Sequence, residues 1–315
     1  MLSFRARLFL FLLRNRHLLR LNFRKETGED WLHGLPKVRE AAAKSSALMG
    51  RLPEDIVAQP ADLGALRAEW IRPRTAAAST HPDEAILYFH GGGYVLGTIE
   101  AHRGIVAKFV KAAGVGALLF EYRLAPEHPY PAALEDALAA YRWLLHEGYW
   151  PERVLFMGDS AGAGLSLATL LALRDEGRPL PAGAVALSPW TDLANTGESL
   201  RTNAHLCLAP KDSWVACATH YVGDNDPTDP HISPLYGDLR GLPPLLLFCG
   251  ADETLRDDSI RFADKARQAG VDVTLRVGER LCHCYPACAP IFPEATAAMA
   301  EIGAFARRRL GRGEA

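Results

Sequence analysis

His90-Gly91-Gly92-Gly93-Tyr94 and Gly158-Asp159-Ser160-Ala161-Gly162 are the two stretches whose reading decides the fold. An apolar run precedes each: Ala85-Ile86-Leu87-Tyr88-Phe89 before the first and Val154-Leu155-Phe156-Met157 before the second. The second stretch is a G-x-S-x-G elbow, in which a serine sits on a sharp strand-to-helix turn with its hydroxyl above a sheet. Its flanking glycines follow from the bent backbone, which leaves no room for Cβ atoms. The first matches the H-G-G-G turn whose backbone N–H groups bind a developing oxyanion, together with the N–H of the residue after the nucleophile, here Ala161. One turn supplies a nucleophile and the other stabilises the charge its attack creates. The pair points to acyl transfer by an activated serine.

Around these turns, apolar runs alternate with helical patterns. Strand-like segments fall at 66–71, 85–90, 115–122, 153–158, 183–188, 245–250 and 271–277, and helix-like ones at 101–113, 131–147, 161–176, 259–269 and 294–309. Strands separated by helices of this length imply βαβ units and a parallel sheet with helices on both faces. Near-continuous apolarity in the strands agrees with cover on both sides. The interval 189–243 is too long for a simple crossover and carries a helical patch at 211–222. Ligands of an open α/β sheet bind beyond the carboxyl ends of the strands, so this insertion would roof the site. The final residues, 311–315, read as a disordered tail.

At 315 residues, with 49% hydrophobic and 23% charged, the chain is large enough for a core that needs no disulfide or metal. A net charge of −2 gives no global pull toward nucleic acid, and no recognition motif is present, so no nucleic-acid partner is expected. The six cysteines form no disulfide framework, which suits a reducing, cytoplasmic setting. Cys282-His283-Cys284 with Cys288 lacks the second pair that a four-ligand zinc site needs, so no metal and no organic cofactor are expected. Cys282 and Cys284 flank His283 closely enough that modifying either thiol, if exposed, would disturb that imidazole.

Residues 1–25 hold Arg5, Arg7, Arg14, Arg16, Arg20, Arg24 and Lys25 with no acid before Glu26. The apolar run 8–13 between them is far short of the ~20 residues a transmembrane helix needs. Two readings remain: a cap helix packing its leucines over the site, or a basic helix lying on a membrane surface. The cap is favoured because Arg14 and Arg16 interrupt an apolar stripe. A peripheral membrane contact and a homodimer are left open.

A serine hydroxyl needs an adjacent base, and the base needs an orienting acid. With the chain order serine, acid, histidine, the base must follow Ser160. Of the downstream histidines, His205, His220 and His231 fall in the insertion, and His283 alone follows the last strand. The acid belongs in the loop after 245–250, where Asp257 and Asp258 read as first-turn helix acids. Asp252 and Glu253 remain, and the residues alone do not choose between them.

The chain resembles the bacterial hormone-sensitive-lipase family of α/β-hydrolase esterases. The resemblance rests on the two glycine turns, Tyr122-Arg123-Leu124-Ala125-Pro126-Glu127, Ser188-Pro189-Trp190-Thr191-Asp192-Leu193, Ile232-Ser233-Pro234-Leu235 and Leu242-Pro243-Pro244, in the family's order from about residue 85 onward. It implies an α/β-hydrolase fold: one domain over 1–315, a mostly parallel central sheet with helices on both faces, and a helical cap from about 1–60 plus about 190–230. Alignment of Asp252-Glu253-Thr254-Leu255-Arg256-Asp257-Asp258 with the family's glutamate branch puts Glu253 on the catalytic acid, beside Ser160 and His283. It also implies Gly92 and Gly93 as oxyanion donors, with Gly91 serving the turn. The implied activity is hydrolysis of small short- to medium-chain acyl esters. Lactone hydrolysis, a membrane-associated lipase and a ligand-binding receptor on the same fold are the alternatives. The plant gibberellin receptor resembles the family but lacks the histidine, whereas Ser160 and His283 are both present here. Trp190, His205, Leu206, Trp214 and Tyr221 are candidates to line the pocket or simply to pack the core.

Overall fold

The computed structural model describes residues 2–15, 34–40, 52–75, 84–207 and 212–311. Much of the expected cap (16–33 and 41–51), most of the polar loop 75–83 and the tail 312–315 lie outside the described residues. The described residues form one eight-stranded sheet: β1 (Ile56–Leu63), β2 (Leu66–Pro73), β3 (Ala85–Phe89), β4 (Ala117–Phe120), β5 (Val154–Asp159), β6 (Gly183–Leu187), β7 (Leu245–Gly250) and β8 (Val273–Gly278). The order is β1-β2-β4-β3-β5-β6-β7-β8, and every pair from β4 to β8 is parallel.

The period-2 alternation of the strands sorts their side chains into two cores. Ala85, Leu87 and Phe89 of β3, with Val154 and Phe156 of β5, join the cluster containing α3 (Ala132–His146), α4 (Ala161–Asp175) and α6 (Arg256–Gln268). Ile86, Tyr88, Leu155 and Met157 face the opposite way, toward α1 (Phe4–Arg14), α2 (Ile99–Ala113) and α7 (Pro293–Arg309). Successive Cβ atoms of a strand point to opposite faces, so a strand covered on both sides must be apolar throughout. β3, β4 and β6 are buried along their whole length.

The antiparallel edge departs from the sequence reading. The first strand is Ile56–Leu63, paired residue by residue with β2, and the sheet therefore begins within the stretch assigned to the cap. Pro60 and Asp62 hide it, since both are poor strand formers. An edge strand tolerates a proline because one side of it needs no ladder donors. The helix after β7 also starts earlier than its apolar pattern, at Arg256, because Asp257 and Asp258 occupy its first turn.

The interval after β6 holds a helical turn at Ser199–Thr202 and α5 (Ser213–Val222). Here α5 packs Cys217 and Tyr221 into the sheet core, with Cys217 against Gly93 and the Tyr221 ring stacked on Tyr94 at 3.7 Å. No described helix is long and apolar enough to cross a membrane.

In the outer layer, α7 approaches α2 closely at Gly303, where a Cβ would collide with the Ala112 carbonyl. Gly303→Val should therefore cost about 1–3 kcal/mol or more by overpacking, read as a lowered thermal midpoint. An unchanged midpoint would mean that the two helices can separate without loss.

Candidate active site

Ser160 stands between β5 and α4 with φ 56°, a left-handed conformation that a non-glycine residue adopts only under constraint. Its backbone N–H donates to the Leu187 carbonyl at 2.8 Å, and its own carbonyl receives Gly164 and Trp190 N–H. The elbow is thus tied to the ends of β6 and α4, and Ser160 is nearly buried.

The other glycine turn is bonded directly to the elbow. Asp159 Oδ1 accepts from Gly91 N–H at 3.0 Å and from the Tyr88 hydroxyl at 2.8 Å. A Cβ at residue 91 would land in the Asp159 carboxylate. The Gly91 donor is therefore spent on the turn, whereas no described acceptor meets the N–H of Gly92, Gly93 or Ala161. Ala161 is also the first residue of α4, where the helix dipole favours negative charge. His90 stacks on Tyr122 at 4.1 Å, with Nδ1 beside its neighbour's carbonyl, Gly91 O. Burial, and then the nearby His102, hold its pKa down at about 3, so it stays neutral.

Glu253, rather than Asp252, meets the imidazole. Its Oε2 lies 3.2 Å from His283 Nδ1. A carboxylate can only accept, so Nδ1 carries the proton and Nε2 is left as the basic nitrogen. Asp252 turns away to an ion pair with Arg14 of α1 at 2.6 Å. Adjacent residues project to opposite sides, which resolves the geometry that the residues alone left open.

Ser188, which the sequence reading quoted without a role, completes the arrangement. It follows β6 with φ 48°, is fully buried, donates to Glu253 Oε2 at 2.7 Å and accepts from Cys284 N–H at 2.8 Å. It thus links the carboxylate to the backbone just beyond His283. A polar residue at the carboxyl end of a central strand was the available signal. Glu253 Oε1 has no partner among the described residues, so the Ser188 hydroxyl and His283 together hold this carboxylate through one oxygen.

His283 is pulled two ways. Burial opposes its charge, while the Cys284 sulfur and the Glu253 carboxylate favour it, and the balance lies well above the usual imidazole value. Cys284 is half-buried with its thiol at the Leu187 carbonyl, the same carbonyl that receives Ser160 N–H, so serine and histidine loop flank one group. Cys282 is buried.

Of the candidate lining residues, Trp214 of α5 lies edge-on to His283 at 5.7 Å and to Trp190 at 5.1 Å. Trp190 and Tyr221 are buried in the core beside Tyr94. His205 is exposed and Leu206 half-buried, and neither forms part of this aromatic wall. Among the described residues, no group of three or more His, Cys, Asp or Glu side chains is placed to hold a metal ion.

A mostly parallel sheet with a strained serine after a central strand, a carboxylate-bound histidine, and a glycine turn whose Gly92 and Gly93 amides lack described acceptors define an α/β hydrolase. A family model described as the alpha/beta hydrolase fold matches residues 86–287. An acetyl-hydrolase of Streptomyces hygroscopicus is 41% identical over 299 residues, 95% of this chain and 96% of that protein. An esterase of Acinetobacter venetianus is 37% identical over 250 residues, covering 79% and 81%. Among solved structures, an esterase from the bacterial hormone-sensitive lipase family superposes with a TM-score of 0.85 at 41% identity, over 98% of this chain and 99% of that one. EstE5, solved after soaking with p-nitrophenyl butyrate, gives 0.87 at 37% identity over 98% and 99%. The chain belongs to the bacterial hormone-sensitive-lipase family of α/β-hydrolase esterases, and is a carboxylic ester hydrolase.

Two variants test this construction. Asp159→Ala strands the Gly91 N–H and the Tyr88 hydroxyl, and should cost about 2–6 kcal/mol of stability at ~1–3 kcal/mol per unsatisfied group, measured by denaturant unfolding. Ser188→Ala should lower kcat about 10–100-fold with little change in KM, since one wrongly held carboxylate misorients the base. A fall in KM-linked binding alone would contradict that second expectation.

Proposed function

We propose that the chain is a serine carboxylesterase for small, short- to medium-chain acyl esters, working through a covalent acyl-enzyme. Ser160 is the nucleophile, His283 the general base and then acid, and Glu253 the group that orients and balances the imidazole. The observation that carries this reading is the 3.2 Å approach of Glu253 Oε2 to His283 Nδ1 beside a serine held at φ 56°.

Ser160 Oγ attacks the ester carbonyl as His283 Nε2 takes its proton. The resulting oxyanion is received by the N–H groups of Gly92, Gly93 and Ala161, whose freedom from other described acceptors supports that role. Loss of one such donor costs ~10²–10³ in turnover. The imidazolium, stabilised by Glu253, returns the proton to the leaving alcohol, and water then repeats the sequence on the acyl-enzyme. A cap built from about 1–60 and about 190–230 would roof this site, a reading supported by α5, whose Trp214 stands against His283. That bulky aromatic side chain favours short acyl groups, as does the acetyl-hydrolase among the relatives.

Hydrolysis of p-nitrophenyl esters from acetate to palmitate tests the assignment. Turnover should peak at short chains and disappear in Ser160→Ala and His283→Ala. Activity that survives Ser160→Ala would remove the mechanism, and a maximum at palmitate would remove the short-chain substrate.

The base must be neutral to accept the serine proton, so turnover rises as pH climbs through the His283 pKa. Because that pKa is raised, the acidic limb of kcat/KM should centre above the ordinary histidine value of ~6.5. A limb centred below that value would mean that burial, not the flanking carboxylate and sulfur, dominates.

A further inference from the structure

We propose that α1 is a lipid-docking helix whose outer face seats on an anionic bilayer. It is apolar on two opposite sides, and among the described residues only one of them packs against the body of the protein. At about 100° per residue, Ala6, Phe9, Leu10 and Leu13 share the inner side. Ala6 and Leu10 are buried, Phe9 and Leu13 pack against the same core, and the Phe9 ring meets Phe292 at 5.4 Å. The other side carries Phe4, Leu8, Phe11 and Leu12, spread over about a quarter-turn. They are 71%, 47%, 58% and 41% exposed, and make up half of all the exposed large hydrophobics among the described residues.

A cap helix would bury its apolar residues against the body, and the inner side does so. The outer stripe remains in water, where isolated apolar residues are ordinary but four on one helix face are not. Charge indicates the occupant. Arg5 and Arg7 are exposed and border the stripe on its two flanks, where long basic side chains reach the headgroup level of a bilayer while the apolar residues enter below it. The helix has no acid in its first turn, and the sequence has none before Glu26. The nearby Glu294 is engaged with the N-capping Ser3, so it holds the helix start rather than opposing an anionic surface. A second copy of this chain would bury the apolar stripe but would bring Arg5 and Arg7 against their own duplicates, which is unfavourable.

The helix is fixed to the body at both ends, by Ser3 to Glu294 and by Arg14 to Asp252, the residue before Glu253. Docking therefore requires no detachment of α1. This inference is independent of the catalytic assignment, because the outer residues touch none of Ser160, Glu253 or His283.

Co-sedimentation of the full chain with phosphatidylcholine vesicles, with and without phosphatidylglycerol, tests it. Wild type should bind the anionic vesicles, less so at high salt, with each basic residue contributing roughly fivefold. Phe4→Ser/Leu8→Ser/Phe11→Ser should weaken binding about a hundredfold or more, while circular dichroism and the thermal midpoint stay at the wild-type level and confirm the fold. Arg5→Glu/Arg7→Glu should abolish the preference for anionic lipid. No binding by wild type, equal binding to neutral vesicles, or equal binding by the triple variant would each overturn the proposal. So would a solution dimer, read by light scattering, that the triple variant dissolves while vesicles remain unbound.

Discussion

The hydrogen bond from Gly91 N–H to Asp159 Oδ1 joins the two halves of this molecule's chemistry. It is available because β3 and β5 lie side by side in parallel, with Phe89 opposite Gly158, so both glycine turns leave the sheet at the same height. Everything above the sheet depends on that register. A one-residue slip would invert every side chain of β3 between the two cores and lift one turn away from the other. Tyr88, on the opposite face of β3, reinforces the junction by giving its hydroxyl to the same oxygen.

A second junction, at the ends of β6 and β7, holds the candidate acid and base. Ser188 and Glu253 leave neighbouring parallel strands, and the histidine loop closes over them from β8. Carboxylates are dense here, yet each has a distinct destination. Asp252 faces Arg14, Asp257 receives Ser199 N–H, and Asp258 accepts from Thr191 and Asp192 N–H. Asp258 is fully buried, and burial, followed by the nearby Asp192, pushes its pKa well above its ordinary value, against the two backbone N–H groups that favour its charge. Glu253 is the carboxylate of this group that reaches the imidazole.

The parallel body of the sheet was legible because its strands obey a simple rule: buried on two faces, they are apolar at every position. The elbow and the glycine turn were legible because their backbone shapes demand particular residues. Chain order singled out His283 as the candidate base, and the structure brings Glu253 to it. Other features depend on contacts between distant segments, which periodicity does not record. β1 carries Pro60 and a mostly solvent-facing pattern, and is a strand only because β2 supplies its ladder. Arg14 reads as an interruption of an apolar stripe until Asp252 appears beside it from 238 residues away. Ser188 shows in the sequence only as a polar residue at a strand's carboxyl end, and its φ and its two bonds reveal what it holds. The choice between Asp252 and Glu253 had the same origin, since side-chain direction in an irregular loop is set by the partners that surround it.

The edge-on packing of Trp214 against His283 at 5.7 Å has an optical consequence. An imidazolium quenches the emission of a neighbouring indole, whereas a neutral imidazole does so far less. Trp214 is half-buried, its indole N–H has no hydrogen-bond partner among the described residues, and the His283 and Trp190 rings lie against it. The molecule thus carries an intrinsic fluorophore at its candidate base. A pH titration of that emission, compared with Trp214→Phe, reports the protonation of His283 without substrate, label or turnover.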